Sequence, residues 1–300
     1  MLGVTILGNN SAIPAHGRHP TAQIISTQDD LLLFDCGEGT QIQILNYKIR
    51  RSRINHIFIS HLHGDHYFGL IGLLSSFALL NRVQPLHVYG PAALQGLLDQ
   101  QFQLSEIHIP FPYHFHAIEK DGLLLETPNY IVSCFSTKHR IECRGFIIRQ
   151  KKRNRKILKN RADSRDIPFN LYALLQEGKD VTLENGTVIK NEEVTIASPP
   201  PKSYAFTADT LFDPSLIEQI QGVDLLYHEA TYPHALADKA SARFHSTTKE
   251  AAEIAKRAGV KKLLIGHFSA KFDDTSAFEK EAKEVFPNSE AAMEGTTYLV

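Results

Sequence analysis

HIFISHLHGDHYFGL, residues 56–70, sets three histidines and an aspartate within six positions: His61, His63, Asp65 and His66. The apolar start reads as a strand that ends at a turn beginning with Ser60. In extended backbone, side chains two apart point the same way, so His61 and His63 can share one centre. Gly64 offers a sharp turn without a Cβ. Asp65 then stands where a helix would begin, with His66 beside it, and both can face a second centre. Histidine and carboxylate are the usual ligands of Zn²⁺ and related ions.

The bulk composition sets the frame for that loop. Three hundred residues suit one large domain or two modest ones, with 43% hydrophobic and 22% charged residues. A formal net charge of −1 gives no global field for nucleic acid or membrane, so any such affinity must be local. Three scattered cysteines, Cys36, Cys134 and Cys143, make no disulfide framework and no C-x-x-C pair, which predicts a reducing compartment. The N-terminal stretch lacks a basic region and a long apolar core, and FGLIGLLSSFALL is too short to span a bilayer. The expectation is a soluble, cytoplasmic protein with no membrane contact.

Strand-like runs recur around the loop: GVTILG, AQIIS, LLLFDCG, LHVYG, PYHFHAI, GLLLET, YIVSCFST and RGFIIRQ. GDHYFGLIGLLSSFALLNRV reads as helical, and PAALQGLLDQQF as a helix with Pro91 near its first turn. The texture changes at Lys151. From Arg149 to Arg165 nine residues are Lys or Arg and one is acidic. Core texture resumes with SYAFTADT, VDLLYHEAT, the helix TTKEAAEIAKRAGV closed near Gly259, and the strand KKLLIGH. Residues 151–197 therefore read as an insertion into a single domain spanning 1–300, built of packed αβ layers.

Further ligand types stand just beyond strands. His139 follows YIVSCFST, Asp209 follows SYAFT, and His267 follows KKLLIG. Open αβ sheets place their sites at such strand ends. The pair His114 and His116 has ligand-like spacing too, but it lies within a strand and lacks an Asp–His continuation, so it reads as structural.

HLHGDH, then His139, ADT, HEAT (His228–Thr231), HST (His245–Thr247) and GH together resemble the metallo-β-lactamase superfamily. Within it they resemble tRNase Z, the family that matures tRNA 3′ ends. LGNNSAIPAHGRHPTA and FDCGEGTQIQI add to the likeness, which covers nearly the whole chain in the short, single-unit form. The resemblance implies a four-layer αβ/βα sandwich. His61, His63 and His139 would hold one zinc, Asp65, His66 and His267 the other, and Asp209 would bridge the two Zn²⁺ ions. It also implies that His245 acts as general acid with Glu229 as its partner, and that the chain forms a homodimer.

Two cations can clamp the attacking and leaving oxygens of a phosphodiester, and zinc lowers the pKa of water from about 16 towards 7. Asp65 is placed to orient the nucleophile. The expected reaction removes the 3′ trailer from precursor tRNA, leaving a 3′-hydroxyl on the tRNA and a 5′-phosphate on the trailer. Lys151, Lys152, Arg153 and Arg155 belong to the basic insertion, which can neutralise phosphates and, by resemblance, grips the tRNA. Its usual Gly/Pro-rich tip is replaced by DIPFNLYALLQEG, where only Ile167–Pro168 matches. The family's P-x-K-x-R-N loop reads PAHGRH (Pro14–His19), and Arg18 is the expected phosphate contact there. Two other readings stand beside this one: a related hydrolase of a small phosphodiester such as a cyclic nucleotide, or of a thioester or lactam; and a non-catalytic, metal-stabilised RNA-binding module.

Overall fold

The computed structural model describes residues 2–300. Strands β1 (Gly3–Gly8), β2 (Ala22–Ser26), β3 (Leu31–Cys36), β4 (Ile54–Phe58), β5 (Leu86–Gly90) and β6 (Tyr113–Ala117) build a first sheet. A second sheet holds β7 (Gly122–Glu126), β8 (Tyr130–Ser136), β9 (Arg144–Gln150), β10 (Ser203–Phe206), β11 (Leu225–Glu229), β12 (Lys262–Gly266) and β13 (Ser289–Ala291). Strand β14 (Thr297–Leu299) returns to the first sheet beside β1, so the orders are β14-β1-β2-β3-β4-β5-β6 and β13-β12-β11-β10-β9-β8-β7.

Period-two alternation explains the layering. Leu31 and Leu33 of β3 join Ile57, Leu86 and Val88 in a cluster with helices α1 (Thr40–Asn46), α3 (Leu70–Leu79) and α4 (Ala92–Leu104). The intervening Phe34 and Phe58 turn the other way. Phe34 meets Phe58 at 5.4 Å and Phe146 of β9 at 5.2 Å between ring centroids, and Phe206 at 6.2 Å. On the far side Ala205, Leu226, Leu263 and Ile265 pack with helices α6 (Thr248–Arg257) and α7 (Ser276–Val285). The result is the expected helix–sheet–sheet–helix stack.

The single helix expected over residues 64–83 is instead two: α2 (Gly64–Tyr67) and α3. Gly69 stands at the break, where a Cβ would come within 2.1 Å of the Gly37 carbonyl oxygen. That close approach pins the ligand loop against the turn after β3. Gly64 serves a different purpose from the turn the sequence suggested. Its φ is not positive, and the space a Cβ would need is taken by the ring of Phe68 at 2.2 Å.

The chain divides into two compact units. The larger comprises 1–126, 132–148 and 202–300; the smaller comprises 127–131 and 149–201. The smaller has a core of its own, in which Ala162, Ile167, Leu175, Val181, Ile189 and Val194 are buried. Its short helices span Lys159–Asp163 and Tyr172–Glu177, and its small sheets pair Lys156–Ile157 with Thr195–Ile196 and Val181–Thr182 with Val188–Ile189.

Candidate metal centre

The central strands β10, β11 and β12 run parallel, so their C-terminal ends share one edge. Asp209 lies past β10, Glu229 ends β11, and His267 directly follows β12. The loop after β4 delivers His61 and His63, and α2 carries Asp65 and His66 in its single turn.

These side chains converge. His61, His63, His139 and Asp209 form one group whose donor atoms lie within 4.8 Å of one another, and Asp65, His66 and His267 form a second. Asp209 faces both. Its Oδ2 lies 3.7 Å from Nε2 of His61 and 3.7 Å from Nε2 of His139. Its Oδ1 lies 3.4 Å from Nε2 of His66 and 3.3 Å from Nε2 of His267. Asp65 Oδ2 stands 3.4 Å from Nε2 of His267.

The opposite ring nitrogens are anchored. Nδ1 of His66 bonds Asp35 Oδ2 at 2.7 Å, Nδ1 of His61 meets Ser60 Oγ at 3.0 Å, Nδ1 of His139 donates to the Phe244 carbonyl at 2.9 Å, and Nδ1 of His267 meets Thr231 Oγ1 at 2.9 Å. Such partners fix tautomer and ring orientation and leave Nε2 for a ligand bond. His63 is reversed: its Nδ1 points inward, 3.0 Å from Nε2 of both His61 and His139.

Whether this arrangement fits a metal can be read from its unpaired atoms. Among the described residues, Nε2 of His66, Nε2 of His267 and Oδ1 of Asp209 are buried with no hydrogen-bond partner. Buried polar atoms are normally satisfied, and buried carboxylates normally face a cation. Asp65 and Asp209 face imidazoles and, among the described residues, form no ion pair with Lys or Arg. The donor set therefore fits divalent metal.

His245 and Glu229 stand beside this cluster. Nδ1 of His245 bonds Glu229 Oε1 at 2.8 Å, and Glu229 is itself held by the Thr210 amide at 3.0 Å and the Thr231 hydroxyl at 2.7 Å. Burial works to lower the His245 pKa, but Glu229, backed by Asp209 and Asp65, outweighs it and lifts it to about 9.

Other expected contacts lie differently. Arg18 spends its guanidinium on internal acceptors, Asn10 Oδ1 at 3.1 Å, the Asp273 carbonyl at 2.6 Å and the Phe272 carbonyl. Its neighbour His19 bonds Glu294 at 2.9 Å. PAHGRH is thus fastened to C-terminal segments. Lys152 and Arg153 are exposed on the smaller unit, whereas Arg155 donates to Thr195 Oγ1 at 2.7 Å.

Sequence reasoning missed three site residues. Asp35 is fully buried, and its carboxylate accepts from the Ser60 amide at 2.8 Å as well as bonding His66. A lone aspartate in the apolar run LLLFDC was the available signal. Arg140 places Nη2 3.0 Å from Nε2 of His63. Cys143 lies buried with Sγ 3.4 Å from Nδ1 of His61, and burial keeps its thiol protonated.

Residues 2–158 match the family described as Anti-Pycsar protein Apyc1, a stretch that includes His61 to His66 and His139 but stops short of Asp209, Glu229, His245 and His267. Relatives spanning all of them decide the matter. A ribonuclease Z of Porphyromonas gingivalis (strain ATCC BAA-308 / W83) is 42% identical over 293 residues, 97% of this chain and 96% of that protein. One from Bacteroides fragilis (strain YCH46) is 40% identical over 291 residues, 96% of each. The chain belongs to the ribonuclease Z family. Its structure matches human tRNase Z, short form, with a TM-score of 0.72 at 26% identity, covering 99% of both chains. The metallo-β-lactamase fold protein YhfI of Bacillus subtilis, at TM-score 0.70 and 21% identity over 99% and 98% of the two chains, shares the fold. Membership of the ribonuclease Z family and the cluster centred on Asp209 thus point to one chemistry.

Proposed function

We propose that the protein is a metal-dependent endoribonuclease that removes the 3′ trailer from precursor tRNA, leaving a 3′-hydroxyl on the tRNA and a 5′-phosphate on the trailer. The observation that carries the reading is the placement of the two Asp209 oxygens, each facing its own set of imidazoles. His61, His63 and His139 would hold one Zn²⁺, Asp65, His66 and His267 a second, with Asp209 shared. Bound there, such ions supply Lewis acidity to the phosphate and make water a better nucleophile at neutral pH.

The side chains do the rest. Asp65, steadied by the Ala12 amide at 2.7 Å from its Oδ2, orients the attacking water and takes its proton. His245 gives a proton to the departing 3′-oxygen. Glu229 holds Nδ1 of that imidazole, so Nε2 is the nitrogen that acts, and the carboxylate favours the charged form of the acid.

The smaller unit serves as the arm that holds the tRNA body, with Lys151, Lys152, Arg153 and Arg155 neutralising phosphates. The partner of the exposed apolar side chains Leu45 on α1 and Leu80 and Val83 beyond the end of α3, which border a groove of about 830 Å³, is a second copy of this chain. Among the described residues no helix is long and apolar enough to cross a membrane; the three cysteines are free and buried, which suits a reducing, cytoplasmic compartment.

The test is incubation of purified protein with precursor tRNA, with and without chelator, beside Asp65→Ala. The expected product ends in a 3′-hydroxyl and disappears with chelator and with the substitution. Undiminished cleavage by Asp65→Ala removes the role given to Asp65; no cleavage by the parent protein removes the function.

A further inference from the structure

Beside His139 stand two side chains that the chemistry above leaves unused. Arg140 follows it on the β8–β9 loop, and its guanidinium makes no ion pair among the described residues; its bond is to Nε2 of His63 at 3.0 Å. Neighbouring cations are committed, Lys138 to Asp213 at 3.0 Å and Arg144 to Asp121 at 2.6 Å. The Arg140 bond is also conditional. A neutral imidazole that offers Nδ1 to a ligand carries its proton on Nε2, and then has no lone pair for Arg140 to donate to. With His63 engaged through its inward Nδ1, the exposed guanidinium is released for another acceptor.

Phe244 is the second. It closes helix α5 (Ala237–Ala242) with φ +61°, its amide donating to the Ser241 carbonyl at 3.1 Å while the His245 amide donates to the Ala240 carbonyl at 2.9 Å. That pair of bonds is a Schellman cap, and Phe244 holds the left-handed position where glycine is the usual residue because a Cβ is penalised there. The cap explains the backbone and sets His245 in place; it does not explain a phenyl ring. Phe244 is 37% exposed, and its ring stands edge-on to His139 at 6.5 Å. Strain retained beside a reactive cluster directs attention to the side chain that causes it.

We propose that Arg140 and Phe244 form a nucleotide clamp at the lip of the cluster. The guanidinium takes a phosphate and the ring stacks on the base of a nucleotide flanking the scissile bond. This rests on the endoribonuclease reading. Phosphate recognition by a planar cation and base recognition by an aromatic face suit an enzyme that must accept many sequences at the cut, since every base has a π-face.

The test uses the metal-loaded protein and a precursor tRNA in single-turnover cleavage, with Arg140→Gln, Phe244→Gly and Phe244→Leu. Phe244→Gly is expected to raise the half-saturating concentration about tenfold, the size typical of one lost base stack, while raising the melting temperature because glycine suits the cap. Phe244→Leu keeps the strain and loses the stack. A substrate with abasic residues on both sides of the cut should be indifferent to both changes. Arg140→Gln should weaken binding and reduce the slope of log affinity against log salt by about one. Metal content should be unchanged in all three. If the parent protein cleaves the precursor and the variants match it in affinity and salt slope, the clamp is wrong and the parent reading stands. If the parent protein neither binds nor cleaves the precursor, that reading falls and takes the clamp with it.

Discussion

The molecule carries two clusters of histidines, and they are built on different terms. Around Asp209, each candidate ligand imidazole has one nitrogen turned inward, and Asp35, Thr231, Ser60 or a backbone carbonyl holds the other nitrogen of most of them. The second cluster lies on the first sheet, where β4, β5 and β6 bring His56 opposite His87 and His87 opposite His114. Here imidazole meets imidazole: Nδ1 of His87 bonds Nε2 of His116 at 2.9 Å, and Tyr89 lies on His116 with ring centroids 4.4 Å apart. No carboxylate hydrogen-bonds these rings among the described residues. The contrast teaches that H-x-H spacing supplies donors, whereas buried carboxylates and outer partners make a site.

The sharpest way to break that contrast is to remove the shared carboxylate. Asp209→Ala is expected to lower bound metal and reduce cleavage on the order of a thousandfold or more, while His116→Ala keeps the parent's metal content by elemental analysis. Equal metal loss in both would erase the distinction. Next in size, Glu229→Gln should slow cleavage roughly a hundredfold or more. In the proposed role His245 works protonated, so activity falls as pH rises through its pKa. Without Glu229 that pKa drops, and the alkaline limb of the pH–rate profile should move to lower pH.

Asp35→Ala leaves the ligands in place and removes the bond that orients His66. Metal affinity, measured by competition with a chromophoric chelator, should weaken by about 10- to 100-fold. An unchanged affinity would show the outer partner to be ornamental. The smallest effect belongs to the second cluster. Burial, with His87 and His116 adding to it against Asp30, pushes His56 down to about 4. A depressed histidine stabilises the fold above its unfolded pKa, near 6.5, and that stability drains away as pH falls towards 4. Between pH 7 and pH 5 the parent should lose up to about 2 kcal/mol more than His56→Gln in urea titrations.

Much of this was legible in the residues. HLHGDH and the strand-end residues His139, Asp209 and His267 announced the convergence because ligand chemistry restricts residue type so severely. The sheets were readable because strands buried on both faces are nearly continuous apolar runs, as in Leu31–Cys36. What stayed hidden depends on distant neighbours. The break at Gly69 needs the Gly37 carbonyl; the service of Asp35 to His66 needs two strands in register; the capture of Arg18 needs the carbonyls of Phe272 and Asp273. Left-handed backbone at Asp35, Ala208, Phe244 and His267 was equally invisible, since none is glycine.

The small core of residues 149–201 has a consequence for how RNA would be met. Its buried side chains are aliphatic and few, Ile167, Leu175 and Val194 among them, so this unit is a natural foldon at the low end of the stability range. Its amides would take up deuterium well before those of the two large sheets. A long polyanion laid across it would slow that uptake, and part of the affinity would be spent quieting the segment that receives it.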